Sequence, residues 1–147
     1  MSHTYAQNTL HLVFSTKERR RLIKETFSEK LHAYLCGICK NHGIFVCAIG
    51  GADDHVHMLV QIPPVLPLAK AVAAIKSNSS RWARESGYHV AWQEGYGAFS
   101  VSASMIPSVV QYIAKQAEHH RKMNFADEFR ALLRKHDIEF GSRFVLG

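Results

Sequence analysis

The chain has 147 residues, with 18 Lys plus Arg against 12 Asp plus Glu for a formal charge of +6, and ten histidines on top of that. Its 47% apolar and 20% charged residues exclude a disordered acidic tail, a collagen-like repeat and a coiled coil, and the length suits one domain over 1–147. Three cysteines, an odd number, argue against a disulfide framework, and a chain of this size buries enough surface to fold without one. No apolar run approaches the roughly 20 residues that span a bilayer. Met1-Ser2-His3-Thr4 opens no signal peptide, so the expected compartment is the cytoplasm, with no membrane partner. A basic excess points to polyanionic partners only where the charge is gathered in one place.

Residues 8–16 alternate Leu10, Leu12 and Phe14 with His11, Val13 and Ser15, which predicts a strand buried on at least one face. The basic run Lys17-Glu18-Arg19-Arg20-Arg21 follows. Over residues 25–42, Phe27, Leu31, Tyr34, Leu35 and Ile38 recur at three and four residues, the pattern of an amphipathic helix, and Gly43 holds the C-terminal cap position. Residues 44–49 form a short apolar run and Gly50-Gly51-Ala52-Asp53-Asp54 a turn. Residues 55–62 then alternate again, with Val56, Met58 and Val60 on one face and His55, His57 and Leu59 on the other. The two runs read as an antiparallel pair.

After Pro63-Pro64, a helix is predicted over 68–86 from Leu68, Val72, Ile75, Ser79 and Trp82, with Gly87 closing it. The glycine-punctuated loop Trp92-Gln93-Glu94-Gly95-Tyr96-Gly97 leads into a strand over 98–104 carrying Phe99, Val101 and Ala103. Pro107 starts a helix to about Met123, a last helix covers 127–136, and 138–147 carries only a weak strand or tail signal. Strand, helix, strand, strand, helix, strand fits an α+β fold: a ferredoxin-like βαββαβ antiparallel sheet with helices on one face and additional C-terminal helices.

Residues two apart on a strand project from one face, so His55 and His57 can aim both imidazoles at one point while Val56 enters the core behind them. Two neutral imidazoles held on a strand are half of a metal site, although a His-x-His pair also serves as a solvent-facing pair, and the triplet alone does not separate the two. In the helix after Pro107, Tyr112, Gln116 and His119 fall at offsets of zero, four and seven, on one stripe, with His120 beside them. Taken alone that stripe reads better as a solvated face opposite Val109, Val110 and Ile113. Taken with the histidines it makes chemical sense. A phenol can attack a phosphodiester polarised by a metal ion, and an amide oxygen one turn along can join two imidazoles on a six-coordinate cation such as Mg²⁺ or Mn²⁺.

Five blocks, in order, carry a resemblance: Val13-Phe14-Ser15-Thr16-Lys17; Gly50 to Leu59 with its His55-Val56-His57 core; Lys76-Ser77-Asn78-Ser79-Ser80-Arg81-Trp82; Trp92 to Val101; and Tyr112-Ile113-Ala114-Lys115-Gln116 followed by His119-His120. The chain resembles the single-tyrosine transposases of small bacterial insertion sequences, members of the histidine-hydrophobe-histidine endonuclease class that cut and rejoin single-stranded DNA. The resemblance implies that His55, His57 and Gln116 ligate a divalent metal, Mg²⁺ or Mn²⁺. It implies that Tyr112 is the nucleophile forming a covalent 5′-phosphotyrosine on hairpin-bearing transposon ends and freeing a 3′-hydroxyl. It further implies a homodimer whose tyrosine helix can complete the metal site of the other subunit.

Asp53 and Asp54 adjoin the histidines and can orient an imidazole, but they are equally good turn residues, and His119 and His120 are expected near the site. Lys17, Arg19, Arg20 and Arg21, together with Lys76 and Arg81 on the second helix, are candidate phosphate contacts, and Trp92, Tyr96 and Phe99 candidate stacking platforms, with core packing the better reading for Phe99 and Trp92. Cys36, Cys39, His42 and Cys47 can be drawn as a zinc site, but the first two lie inside an uninterrupted helical pattern. Two competing readings are a domesticated relative that processes chromosomal repeats and a non-catalytic nucleic-acid-binding module.

Overall fold

A computed structural model describes residues 3–141, so the last six positions of the weak 138–147 signal lie outside the described residues. Four strands, β1 (Thr9–Ser15), β2 (Phe45–Gly51), β3 (His55–Gln61) and β4 (Gly97–Ser100), form one sheet in the order β2-β3-β1-β4. Every neighbouring pair is antiparallel, and β1 meets β3 from Thr9 opposite Gln61 to Ser15 opposite His55. The two helices between strands, α1 (Glu25–Asn41) and α2 (Leu68–Glu85), complete the βαββαβ order.

Alternation along the strands decides which side chains meet which helices. Leu12, Phe14, Val56, Met58 and Val60 join Phe27, Leu31, Leu35, Val72 and Ile75 in the main core between the sheet, α1 and α2. Trp82 stacks on Tyr34 and Phe27 at its edge. The opposite sheet face is covered by α3 (Ile106–Ala114), the short α4 (Gln116–His119) and α5 (Phe125–Lys135), over two smaller apolar clusters built on Leu59, Val101 and Ile113 and on Val13, Phe99, Phe125 and Leu133. Because both faces are covered, His55 and His57, on the face turned to these three helices, are fully buried.

Glycine lets α3 come down on the sheet. A Cβ at Gly50 would lie 2.6 Å from the carbonyl oxygen of Ile113, the residue after Tyr112, so the bare backbone at this position of β2 seats the end of the helix. Gly43, with φ of 73°, closes α1 in the left-handed conformation expected of a C-terminal cap.

Two elements differ from the sequence expectation. The strand predicted over 98–104 ends at Ser100: the Val101 amide still donates to Thr9, but Thr9 is the first residue of β1, so no ladder partner remains and Ala103–Met105 turns into a 3₁₀ helix. The helix predicted from Pro107 to Met123 is broken at Lys115, whose φ and ψ of −98° and 14° separate α3 from α4, and helical structure stops at His119. The break falls at Gln116, whose amide N–H₂ is held by Glu128 inside the protein. Cys36 and Cys39 lie within α1, and among the described residues Cys36, Cys39, His42 and Cys47 do not converge into a group able to hold a metal ion, which argues against the drawn zinc site.

Substituting Gly50→Ala is expected to lower unfolding free energy by about 1–3 kcal/mol through the clash with Ile113. Gly37→Ala, on the exposed side of α1 with nothing within 4 Å of the added methyl, should raise it by roughly 0.5–1 kcal/mol. Urea denaturation of both variants checks the pair.

Candidate active site

The site begins with the register of β1 against β3. His55 and His57 leave the same face of β3, and His11, two places along the facing strand from Val13, the partner of His57, leaves β1 toward them. The His11 and His57 rings are 5.0 Å apart, with His11 Nε2 2.7 Å from His57 Nδ1. On the helical side, the Tyr112 ring lies 5.7 Å from the His57 ring and 6.0 Å from that of His11. The tyrosine and the histidine pair of one chain therefore stand side by side.

Between them sits Glu128, from the first turn of α5, a carboxylate only 1% exposed. Its Oε1 accepts from His120 Nε2 at 2.9 Å and from His57 Nε2 at 3.2 Å. Its Oε2 accepts from Gln116 Nε2 at 2.9 Å and from the Tyr112 phenol. His55 Nε2 and His119 Nε2 stand 3.6 and 3.4 Å away without a hydrogen bond. Burial pushes the Glu128 carboxyl up, but the bonds from His120 and His57 and the neighbouring charge outweigh it and hold the group well below the ordinary carboxylate range. Burial, and then the bond to Glu128, raises the Tyr112 phenol far above its usual value. Burial takes His57 down to about 4 and His11 to about 3.

The polarity of the network tests whether a cation fits. His55 Nδ1–H donates to Asp54 Oδ1 at 2.7 Å, so a neutral His55 turns the lone pair of Nε2 toward Gln116 Oε1, 3.1 Å away. Gln116 Oε1 is an acceptor too, because its amide N–H₂ end is committed to Glu128. Two acceptors face each other, and a cation between them satisfies both. Their spacing matches the about 3 Å separating adjacent ligand atoms on an octahedral ion with bonds of about 2.1 Å. His55, His57, His120 and Glu128 moreover offer ligand atoms that all lie within 4.8 Å of one another. The donor set of imidazole nitrogen, amide oxygen and carboxylate suits a hard or borderline divalent ion.

Two cavities reach this cluster. One of about 520 Å³ is lined by Arg21, His32, Asp53, Asp54, His120 and Arg121, and one of about 490 Å³ by His11, Ser108, Tyr112, Lys135 and His136 among others. The basic run leaves β1 beside the first: Lys17–Arg19 is a 3₁₀ turn, Thr16 and Ile23 donate backbone bonds to Asp54 and Asp53, and Lys17, Arg20 and Arg21 are exposed. Arg20 pairs with Glu18, Arg21 Nε lies 3.7 Å from Asp53, and Arg19 is half-buried.

Lys76 is committed elsewhere, donating to the carbonyls of Gln93 and Gly95 and thereby tying α2 to the 91–95 loop, while Arg81 is exposed and bonded to Asn78. Phe99 is buried and Trp92 packs edge-on to Phe14 with its indole N–H on Ser79, which leaves Tyr96 as the exposed ring of the three stacking candidates.

A sequence pattern shared by a known family, described as IS200-like transposases, matches residues 4–116. The chain belongs to that family. Curated relatives are the transposases for insertion sequence element IS200 from Salmonella typhimurium strain LT2 and Salmonella typhi, each 26% identical over 80 residues covering 54% of this chain. The matched region spans about half, 53%, of those relatives. Among solved structures, a candidate transposase from Deinococcus radiodurans R1 superposes with a TM-score of 0.64 at 22% identity, over 79% of this chain and 95% of that one. A REP-associated tyrosine transposase bound to a REP hairpin gives 0.62 at 15% identity, over 82% and 73%. Both share the α+β fold.

The IS200-like match contains His11, His55, His57 and Tyr112 and ends at Gln116; His119, His120 and Glu128 lie beyond it. The structure sets Asp54 against His55; sequence reasoning left that contact open beside the turn role, and anticipated the approach of His55, His57, Tyr112, Gln116, His119 and His120. It missed His11 and Glu128. The alternation of residues 8–16 does put His11 on the face opposite Leu10, Leu12 and Phe14, which is the available signal for the first; nothing local marks the second.

Without metal, stability should fall on acidification. His57 and His11 titrate near 6.5 when unfolded and at about 4 and 3 when folded. Between those values the unfolded chain binds more protons, so stability is complete above about pH 6.5 and is lost as pH drops through the folded values. Thermal melts in EDTA are expected to show Tm declining steadily from pH 7 to pH 4; a flat profile would contradict the buried neutral imidazoles.

Proposed function

We propose that this chain is a metal-dependent transposase of single-stranded DNA, cutting and rejoining hairpin-bearing ends through a 5′-phosphotyrosine on Tyr112. The observation that carries the reading is the convergence of the Tyr112 phenol, two buried imidazoles and the facing acceptors His55 Nε2 and Gln116 Oε1 in one cluster. His55, His57 and Gln116 are the ligands of a Mg²⁺ or Mn²⁺ ion, with Glu128 and His120 beside them. When bound, that ion neutralises and polarises the scissile phosphate as a Lewis acid. The Tyr112 oxygen attacks phosphorus while its proton passes along its hydrogen bond through Glu128, which does not retain it, and on to the leaving oxygen. The new bond joins tyrosine oxygen to the 5′-phosphate, the bond to the 3′ oxygen breaks, and that oxygen leaves as a hydroxyl after taking up a proton. A different 3′-hydroxyl reverses the exchange and joins new ends, so no external energy source is required.

Lys17, Arg19, Arg20 and Arg21 lead the DNA backbone past the cavity at Arg21 and Asp54, with Arg81, and Lys76 through the loop it braces, on the α2 side. Asp53 and Asp54 hold the turn before β3, and Asp54 orients His55. His119 and His120 close the helical side of the cluster. This reading keeps the whole of 1–147 as one nuclease domain that works in the cytoplasm as a homodimer, and because Tyr112 already stands beside His57 of its own chain, exchange of tyrosine helices between subunits is not needed to build the site. The solved neighbour bound to a REP hairpin supports hairpin DNA as the ligand class, and favours a second reading in which the chain is a domesticated, repeat-processing nuclease using the same residues.

Incubation with end-labelled hairpin-bearing single-stranded DNA and Mn²⁺ is expected to give a covalent protein–DNA adduct that Tyr112→Phe abolishes. An adduct that persists in Tyr112→Phe shows a different nucleophile, and binding without any wild-type adduct supports the non-catalytic module. Gln116→Ala should lose cleavage at low Mn²⁺ and recover part of it at high Mn²⁺, as measured by a metal titration of the cleavage rate.

A further inference from the structure

His11 contacts a proposed metal ligand, His57, from the sheet side, and the reaction gives it no part. It is 3% exposed, sits on a central strand, and its Nε2 meets His57 Nδ1 at 2.7 Å. The hydrogen accounting at this contact leads further. In the metal-free protein His57 Nε2–H donates to Glu128 Oε1, so a neutral His57 has a bare Nδ1, and His11 must donate to it from Nε2–H. If His57 Nε2 is instead to hold a cation, its lone pair must be free and its proton must sit on Nδ1. That Nδ1–H can then donate to His11, provided His11 presents a bare Nε2 and carries its own proton on Nδ1. The hydrogen bond survives in both states with its direction reversed, and neither ring changes its charge.

We propose that His11 is a positioning residue for the metal ligand His57, a reversible hydrogen-bond partner whose tautomer exchange lets His57 trade its bond to Glu128 for a metal ion without losing its orientation. The proposal rests on the reading of His57 as a ligand and adds a residue to it. A neutral imidazole suits this position because it can be donor or acceptor at the same atom, whereas a carboxylate would only accept and an ammonium only donate. The geometry is fixed from outside the site as well: the His11 ring packs edge-on to Phe99 at 6.1 Å and to Tyr112 at 6.0 Å, so it cannot swing away from His57 without disturbing both. An outer partner of this kind commonly changes metal affinity by 10–100-fold when removed.

The test compares full-length wild type, His11→Phe and His11→Gln, titrated with Mn²⁺ while free Mn²⁺ is followed by its electron paramagnetic resonance signal. Circular dichroism and thermal melting check that each variant is folded. Wild type should bind one Mn²⁺, His11→Phe should bind it about 10–100-fold more weakly, and His11→Gln, whose amide can also donate or accept, should recover part of the loss. In ¹⁵N-labelled wild type, Mg²⁺ should move the His57 proton from Nε2 to Nδ1 and the His11 proton likewise from Nε2 to Nδ1, a signature that a purely structural role for His11 would not produce. Wild-type affinity in a folded His11→Phe, or an unchanged His11 tautomer in the Mg²⁺-loaded protein, overturns the proposal while leaving the metal reading intact. Failure of wild type to bind Mn²⁺ at all overturns the metal reading, and this proposal with it. Should His11→Phe fail to fold, folded His11→Gln together with the tautomer shifts decides the matter: no shift and no change in affinity count against it.

Discussion

A single buried negative charge organises the C-terminal half of this molecule. Glu128 is shielded from water, and a carboxylate in that position is tolerated only where donors surround it. Here the donors come from separate elements: His57 from β3, Tyr112 from α3, Gln116 and His120 from α4 and its end. The apolar clusters beneath α3 and α5 are much smaller than the main core. The polar network therefore does a large share of the work of holding these helices against the sheet in one register. Removing one partner from such a network leaves a buried charge or donor unpaired, which costs more than the bond itself contributes.

The same constraint assembles the groups that the proposed chemistry uses. To satisfy one carboxylate, the fold must bring imidazoles, an amide and a phenol to a common point, and those groups are the parts a phosphoryl-transfer site needs. The sheet contributes rigidity: β3 lies inside the four-stranded order, flanked by β1 and β2, so His55 and His57 are fixed by ladders on both sides. Gly50 contributes proximity by letting the end of α3 approach β2. A module that merely binds nucleic acid needs a basic surface, and it would gain nothing from burying five of its ten histidines, wholly or in large part, around a tyrosine and a glutamate.

Much of the fold was legible in the sequence because it rests on periodicity. The alternation in β1 and β3, the helical spacing of α1 and α2, and the glycines at their ends each report a local physical rule, and the sheet order follows from them. The elements that were misjudged end for non-local reasons. The fourth strand stops because its partner stops, and the tyrosine helix breaks where the Gln116 amide is held by Glu128. Lys76 looked like a free cation because no local pattern announces that two carbonyls of the 91–95 loop will claim it. Glu128 was invisible for a related reason. An acidic residue in the first turn of an amphipathic helix is what the helix dipole alone favours, and only the packing of α5 on the sheet shows that this one is buried.

The central claim is that the cluster around His55 and His57 is a metal site facing Tyr112. Anomalous diffraction at the manganese edge from Mn²⁺-soaked crystals tests it most directly. The account predicts one strong anomalous peak within bonding distance of His55 Nε2 and His57 Nε2, with the Gln116 amide oxygen or the Glu128 carboxylate completing the protein ligands. A well-ordered site with no peak there, or with manganese bound only elsewhere, would contradict it.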